Sequence, residues 1–203
     1  MKNIILTSNG FINSSPRSKE IDELFKKIAN GKKVLILGNA TLGGSNASQR
    51  EPVKTNFEKV GARQVDIVYI NIDNQRCILD YEVIYVIGGD PRYLLDLVAT
   101  TKVKDILKQF LESGGIYIGE SAGSMILGNN LKWVWDVKKG TKPKYDIEPE
   151  SYEGLGFTNY NIFPHWNATK EETKIKALEH DEKITPLNDG QFIEVEYNYA
   201  KKS

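Results

Sequence analysis

Gly115-Ile-Tyr-Ile-Gly-Glu-Ser-Ala-Gly-Ser-Met125 reads as a buried strand that stops at Gly119, a sharp turn at Ser121, and a helix opened by Gly123. Gly-x-Ser-x-Gly between a strand and a helix is the pattern of a nucleophile elbow. So tight a turn needs small residues beside the serine, which the glycines at 119 and 123 supply. The geometry lifts the Ser121 hydroxyl clear of the backbone and aims the first helical amides, Ala122 among them, at a developing oxyanion. A serine N-cap between strand and helix is the plain alternative. The residues around the stretch have to decide.

Upstream, Tyr81 to Ile87 predicts a strand that runs into Gly88-Gly-Asp-Pro-Arg92, and Pro91 suits the first turn of a helix continued by Leu94, Leu95 and Leu97. A second helix over Val103 to Leu111 ends at Ser113-Gly-Gly115, directly before the elbow strand. Nearer the start, Asn3 to Thr7 and Lys33 to Leu37 are short aliphatic runs of the kind that parallel sheets bury. Ser8-Asn-Gly10 reads as the turn that ends the first of them. Between them Ile21, Leu24, Phe25 and Ile28 recur at helical spacing, and Asn30-Gly31 closes that helix. A helix over about Ala47 to Val60 and a strand over Gln64 to Ile70 complete another unit. Strands alternating with helices at this spacing predict an α/β fold with an open, mostly parallel sheet. Ligands of such sheets bind beyond the carboxyl ends of the strands, where Gly88-Gly89 and Ser121 both fall.

Beyond the elbow the texture changes. Leu131 to Val137 alternates loosely, like an antiparallel strand, and Lys138 to Glu150 is a charged, proline-bearing excursion. Asn161 to Trp166 reads as a strand end carrying His165. A polar helix over about Lys170 to His180 follows, then two short strands near Ile184 and over Phe192 to Tyr197 that flank Asn188-Asp-Gly190. The last residues, Lys201 to Ser203, read as a frayed end.

Composition narrows the function. Lys+Arg and Asp+Glu are both 27, so no net field favours nucleic acid or an anionic membrane. No apolar run is long enough to span a bilayer, and the N-terminal run lacks the form of a signal peptide. Cys77 is the only cysteine, which excludes an internal disulfide and a thiolate metal cluster. With no metal-ligand spacing among His and Cys, no metal is expected. The loop Gly38 to Ser45 lacks the ending of a P-loop and the glycine spacing of a dinucleotide site, so no cofactor is expected either. At 203 residues the chain fits one domain, 1–203, and a cytoplasmic location is the simplest.

A serine nucleophile needs a base, and there are two histidines. His180 ends a polar helix, where pairing with the helix dipole or solvent accounts for it. His165 follows Pro164 beside Trp166, which can shield an imidazole from water, and it is the favoured base. The base in turn needs a carboxylate to hold its tautomer. Asp136 closes the Trp133-Val134-Trp135 run, an unusual place for a charge that is not paired. Asp189 lies in Asn-Asp-Gly, where a hairpin turn would explain it, and Glu120 adjoins the nucleophile but points off the other side of the elbow. Asp136 is therefore preferred, Asp189 second and Glu120 third. The amides of Gly89 and Ala122 are the expected oxyanion donors.

Taken together, these residues resemble the peptidase E family of serine peptidases (alpha-aspartyl dipeptidases) and their cyanophycin-degrading relatives. The shared pieces are the opening strand, Gly88-Gly-Asp90 before a leucine-bearing helix, Gly119-Glu-Ser-Ala-Gly123, and Pro164-His-x-Asn167. The resemblance spans nearly the whole chain. It implies a class I glutamine amidotransferase-like (flavodoxin-like) fold in three layers, helices on both faces of the sheet, with serine in place of that superfamily's cysteine. It also implies Ser121 as nucleophile and His165 as base. For the third member it leaves two positions. Asp136 stands at the separation from the serine that the aspartyl dipeptidase pattern suggests, while cyanophycinase-like members take an acidic residue near the C-terminus, where Asp189 lies. Family dipeptidases cut after an N-terminal aspartate and need a cationic pocket, for which Arg92 is a candidate by position; Glu120, if it faced that pocket, would repel an acidic substrate.

The expectation is a serine peptidase acting on short peptides, N-terminal aspartyl dipeptides being one class, with a small peptide as its partner. A homodimer stays open. The rivals are a small-ligand-binding protein on the same scaffold and an esterase-like serine hydrolase.

Overall fold

Alternate residues of each central strand face opposite sides of the sheet, and both sides are apolar. The strands β1 (Ile4–Thr7), β2 (Lys33–Leu37), β3 (Gln64–Val68), β4 (Val83–Val86), β5 (Ile116–Glu120) and an edge strand, Phe192–Val195, form one six-stranded sheet. Ile5, Val34, Ile36, Val83, Tyr85 and Ile118 pack on one face against the helices α1 (Lys19–Ala29) and α2 (Arg50–Lys59). Ile4, Leu6, Leu35, Leu37, Ile84, Val86 and Tyr117 pack on the other against α3 (Pro91–Thr100), α4 (Val103–Glu112) and α5 (Ala122–Met125). The result is three layers, as expected of the flavodoxin-like class. This computed structural model describes residues 2–11, 18–41, 48–137 and 149–197. The glycine loop beyond Thr41, the charged excursion over 138–148 and the last residues, Lys201 to Ser203, lie outside the described residues.

Local chemistry sets the helix ends. Ser18 caps α1, its hydroxyl accepting the Ile21 N–H at 3.2 Å. Glu20 and Asp22 stand in the first turn of α1 and Lys26 and Lys27 in the last, the signs that suit the helix dipole. Asp90 caps α3 ahead of Pro91, accepting the Arg92 N–H at 3.0 Å. A 3₁₀ helix over Gln75–Asp80, not anticipated from the sequence, leads into β4.

Two expectations are corrected. Residues 132–137 form a helix, α6 (Lys132–Val137), rather than an antiparallel strand. Trp133, Val134 and Val137 are buried, a helical spacing, and Lys132 pairs with Asp136 four residues on. The alternation of Trp133 and Trp135 is too short a run to separate the two periods. The second correction concerns Asn188-Asp-Gly190, which is not a hairpin. Beyond α6 come β6 (Asn161–Phe163), α7 (Glu171–Leu178), β7 (Ile184–Pro186) and β8, the edge strand Phe192–Val195. β7 pairs in parallel with β6 in a separate two-stranded sheet, and β8 runs antiparallel to β1. The segment between them crosses from one sheet to the other.

The strand order β3-β2-β4-β5-β1-β8 places the site. β4, β5 and β1 are neighbours and parallel, so Gly88-Gly89, Ser121 and Ser8-Asn9-Gly10 leave the sheet side by side. The crossing segment before β8 arrives at the same end, because β8 pairs Phe192 with Thr7. No helix among the described residues is long and apolar enough to cross a membrane.

Candidate active site

Ser121 sits between β5 and α5 at φ 50°, ψ −110°, a conformation that L-residues avoid. The turn is held from below. The Ser121 N–H donates to the Thr7 carbonyl at 3.1 Å. Ser124 Oγ accepts the Thr7 N–H at 2.9 Å and lies 2.8 Å from the carbonyl oxygens of Thr7 and Gly119. A Cβ on Gly119 would meet the Gly123 carbonyl oxygen at 2.5 Å, and one on Gly123 would meet that of Val86 at 2.2 Å. The flanking glycines are therefore required by contact as well as by the turn.

His165, after β6, is at φ 57°, ψ 35°. Ser121 and His165 are the non-glycine residues with positive φ among those described, and they face each other. His165 Nε2 lies 3.2 Å from Ser121 Oγ, and Nδ1 lies 2.7 Å from Asp189 Oδ1. A carboxylate only accepts, so Nδ1 carries the proton and Nε2 is left to accept from the serine. The Asp189 side chain is 8% exposed, whereas that of His165 is 40% exposed. The acid is shielded and the imidazole reaches the surface.

The loop after β1 fixes this pair. Ser8 Oγ donates to Asp189 Oδ1 and accepts the His165 N–H, both at 2.7 Å. Asn9 Oδ1 accepts the Gly190 N–H at 2.8 Å, and Asn167 Oδ1 accepts the Asp189 N–H at 3.0 Å. Sequence reasoning treated Ser8-Asn9-Gly10 only as a turn. Its position at the carboxyl end of a parallel strand was the available clue.

Asp136 is not at the site. It sits on α6 with Lys132 Nζ at 2.8 and 3.0 Å and His180 Nε2 at 3.7 Å, so the residue set against His165 is Asp189 rather than the preferred Asp136. Glu120 is also turned away from His165. Its carboxyl is fully buried beneath the elbow, where it meets the Tyr85 hydroxyl and accepts the Gly88 N–H at 3.0 Å. Burial pushes its pKa up to about 8, against the lowering effect of those two hydrogen bonds.

Gly88 abuts Ser121, since a Cβ there would lie 2.9 Å from Ser121 Cβ. Gly89 follows with its Hα face pressed on Ala40, whose carbonyl oxygen a Cβ would meet at 2.1 Å. Ala122 is the first residue of α5, and helix geometry leaves its N–H without an intrahelical partner. Arg92 Nη1 is paired with Asp90 Oδ2 at 2.8 Å, and its guanidinium carbon lies 5.4 Å from the centre of the Trp135 ring, so its charge is already engaged. Among the described residues no cluster of three or more His, Cys, Asp or Glu could hold a metal ion.

The sequence profile of Peptidase family S51 matches residues 4–202. An uncharacterized peptidase of Listeria monocytogenes is 27% identical over 200 residues, covering 95% of this chain and 94% of that one. A protein named peptidase E from Nostoc sp. is 24% identical over 176 residues, or 81% of this chain and 69% of its own. Among solved structures, a candidate peptidase E protein from Listeria monocytogenes EGD-e superposes with a TM-score of 0.75 at 25% identity, covering 96% of this chain and 94% of that one.

Proposed function

The chain belongs to peptidase family S51 and is a serine-type peptidase; on that premise we propose that Ser121, His165 and Asp189 are its catalytic triad and that short peptides are its substrates. The observation that carries the reading is His165 set between Ser121 Oγ at 3.2 Å and Asp189 Oδ1 at 2.7 Å.

Ser121 Oγ attacks the scissile carbonyl carbon while its proton passes to His165 Nε2. Asp189 holds the Nδ1–H and stabilises the imidazolium that forms. The carbonyl oxygen becomes an oxyanion, which the N–H groups of Gly89 and Ala122 receive. The intermediate collapses, His165 gives its proton to the leaving amine nitrogen, and the acyl group stays on Ser121. A water then loses its proton to His165 Nε2 and attacks the ester carbon. The second tetrahedral intermediate collapses, the bond to Ser121 Oγ breaks, and His165 returns the proton to that oxygen as the acid leaves. Asp-Xaa dipeptides are the first substrates to assay. The engagement of Arg92 by Asp90 gives them no special support from that residue.

Labelling with a fluorophosphonate probe, located by mass spectrometry, tests the nucleophile. One adduct on Ser121, absent in Ser121→Ala, is the expected outcome. A folded protein that takes up no probe and cleaves no peptide would return the chain to the small-ligand-binding reading. Cleavage of esters with no cleavage of peptides would favour an esterase.

A further inference from the structure

The nucleophile's neighbour, Glu120, takes no part in the mechanism above, yet it touches two of the loops that build the site. One carboxyl oxygen accepts the Gly88 N–H, the amide next to the Gly89 donor. The other meets the Tyr85 hydroxyl, which also accepts the Phe11 N–H at 3.0 Å. Phe11 closes the loop that carries Ser8 and Asn9, and a Cβ on Gly10 would lie 2.1 Å from the Tyr85 oxygen and 2.9 Å from Glu120 Oε2. The β4 and β1 loops thus close on one buried carboxyl directly beneath Ser121. The titratable group facing it among the described residues is the Tyr85 phenol from β4; from the β1 loop it meets Gly10, and from the β4 loop the Gly88 N–H. No cation is paired with it among those residues.

We propose that Glu120 is a positioning residue that, as the neutral acid, braces the Gly88-Gly89 turn at the oxyanion side of Ser121, and that its ionisation sets an alkaline limit on the reaction. The proposal rests on the reading of Ser121 as the nucleophile. An unpaired carboxylate in a low-dielectric site acts strongly on a second negative charge nearby. When Glu120 ionises, its charge appears on the side where the tetrahedral oxyanion must form, so acylation slows. Burial raises the pKa to about 8, so the neutral acid predominates at about pH 7. Glutamine preserves the neutral form: its oxygen accepts from Gly88, and its NH₂ donates to Tyr85.

The test is the rate of fluorophosphonate attachment to Ser121 against pH, for wild type, Glu120→Gln, Glu120→Ala and Tyr85→Phe. Wild type should lose rate as pH rises through about 8. Glu120→Gln should lack that fall and stay within about threefold of wild type at pH 7, while Glu120→Ala, with the brace removed, should be roughly 10- to 100-fold slower throughout. Tyr85→Phe removes a hydrogen bond that lowers the Glu120 pKa, so its fall should move to higher pH. This arm also serves if the alanine variant fails to fold. An alkaline fall that persists in Glu120→Gln, or does not move in Tyr85→Phe, overturns the proposal and leaves the triad standing. A wild type that takes up no probe overturns the triad reading, and this proposal with it.

Discussion

At His165 the two ring nitrogens have different partners, and the proposed triad rests on that difference. Nδ1 faces a shielded carboxylate that Ser8 also contacts, so the imidazole is held in one tautomer and one orientation. Asp136, by contrast, is tied to Lys132 on its own helix. The two acids therefore predict opposite outcomes for the same chemical change. Asp189→Asn should lower peptide turnover by about 10⁴, the loss expected when the tautomer is no longer held. Asp136→Asn should leave kcat/KM within about threefold, since exposed ion pairs contribute about 0–1 kcal/mol and this one lies away from the site. Equal losses in the two variants, measured with one peptide substrate, would remove Asp189 from the triad. Both acids stand in the sequence with plausible local readings, and neither reading says which one the histidine meets.

Among the elements, β5, its turn and α5 act as one unit. The elbow can be read from eleven residues because Gly119 must clear the Gly123 carbonyl four residues on, a local demand. Gly123 also answers to a contact from outside the stretch. Its missing side chain lets α5 lie directly on the Val86 carbonyl of β4. Gly123→Ala should destabilise the fold by about 1–3 kcal/mol, as overpacking does, and suppress labelling of Ser121. Chemical denaturation and the probe together check it; an alanine variant of wild-type stability would mean that α5 can shift without cost. α6 teaches the opposite lesson. Its six residues carry two tryptophans at strand spacing. Asn130 Oδ1 accepts the Lys132 N–H at 2.7 Å at its start, and packing through Trp133, Val134 and Val137 holds the helix. Short segments take their structure from what they pack against.

For the molecule as a whole, Glu120 couples stability to pH. The unfolded chain gives up this proton near 4.5, and the folded protein keeps it to about 8. Between those values the folded state binds more protons than the unfolded one, so this group's contribution to stability falls as pH rises. The urea midpoint of wild type should decline from about pH 5 to pH 8 more steeply than that of Glu120→Gln, with the difference levelling off above about 8. Parallel curves for the two proteins would show that Glu120 titrates as an ordinary carboxyl.

The sequence by itself determined the alternation of strands and helices, the open parallel sheet, the strand-to-helix turn at Ser121 and, of the two histidines, His165 as the candidate base. These follow from periodicity, glycine placement and neighbouring residues, all of which act over a few positions. The tertiary structure decided which carboxylate meets His165, which loop supports the pair and where Glu120 is buried. His165 and Asp189 are 24 residues apart, Ser121 and His165 are 44 apart, and Ser8 is 181 residues from the Asp189 it contacts. No local pattern encodes such meetings. Asp189 arrives because β8 returns antiparallel to β1 at the sheet end where β1, β4 and β5 finish, and His165 because Ser8 of the β1 loop holds its N–H there.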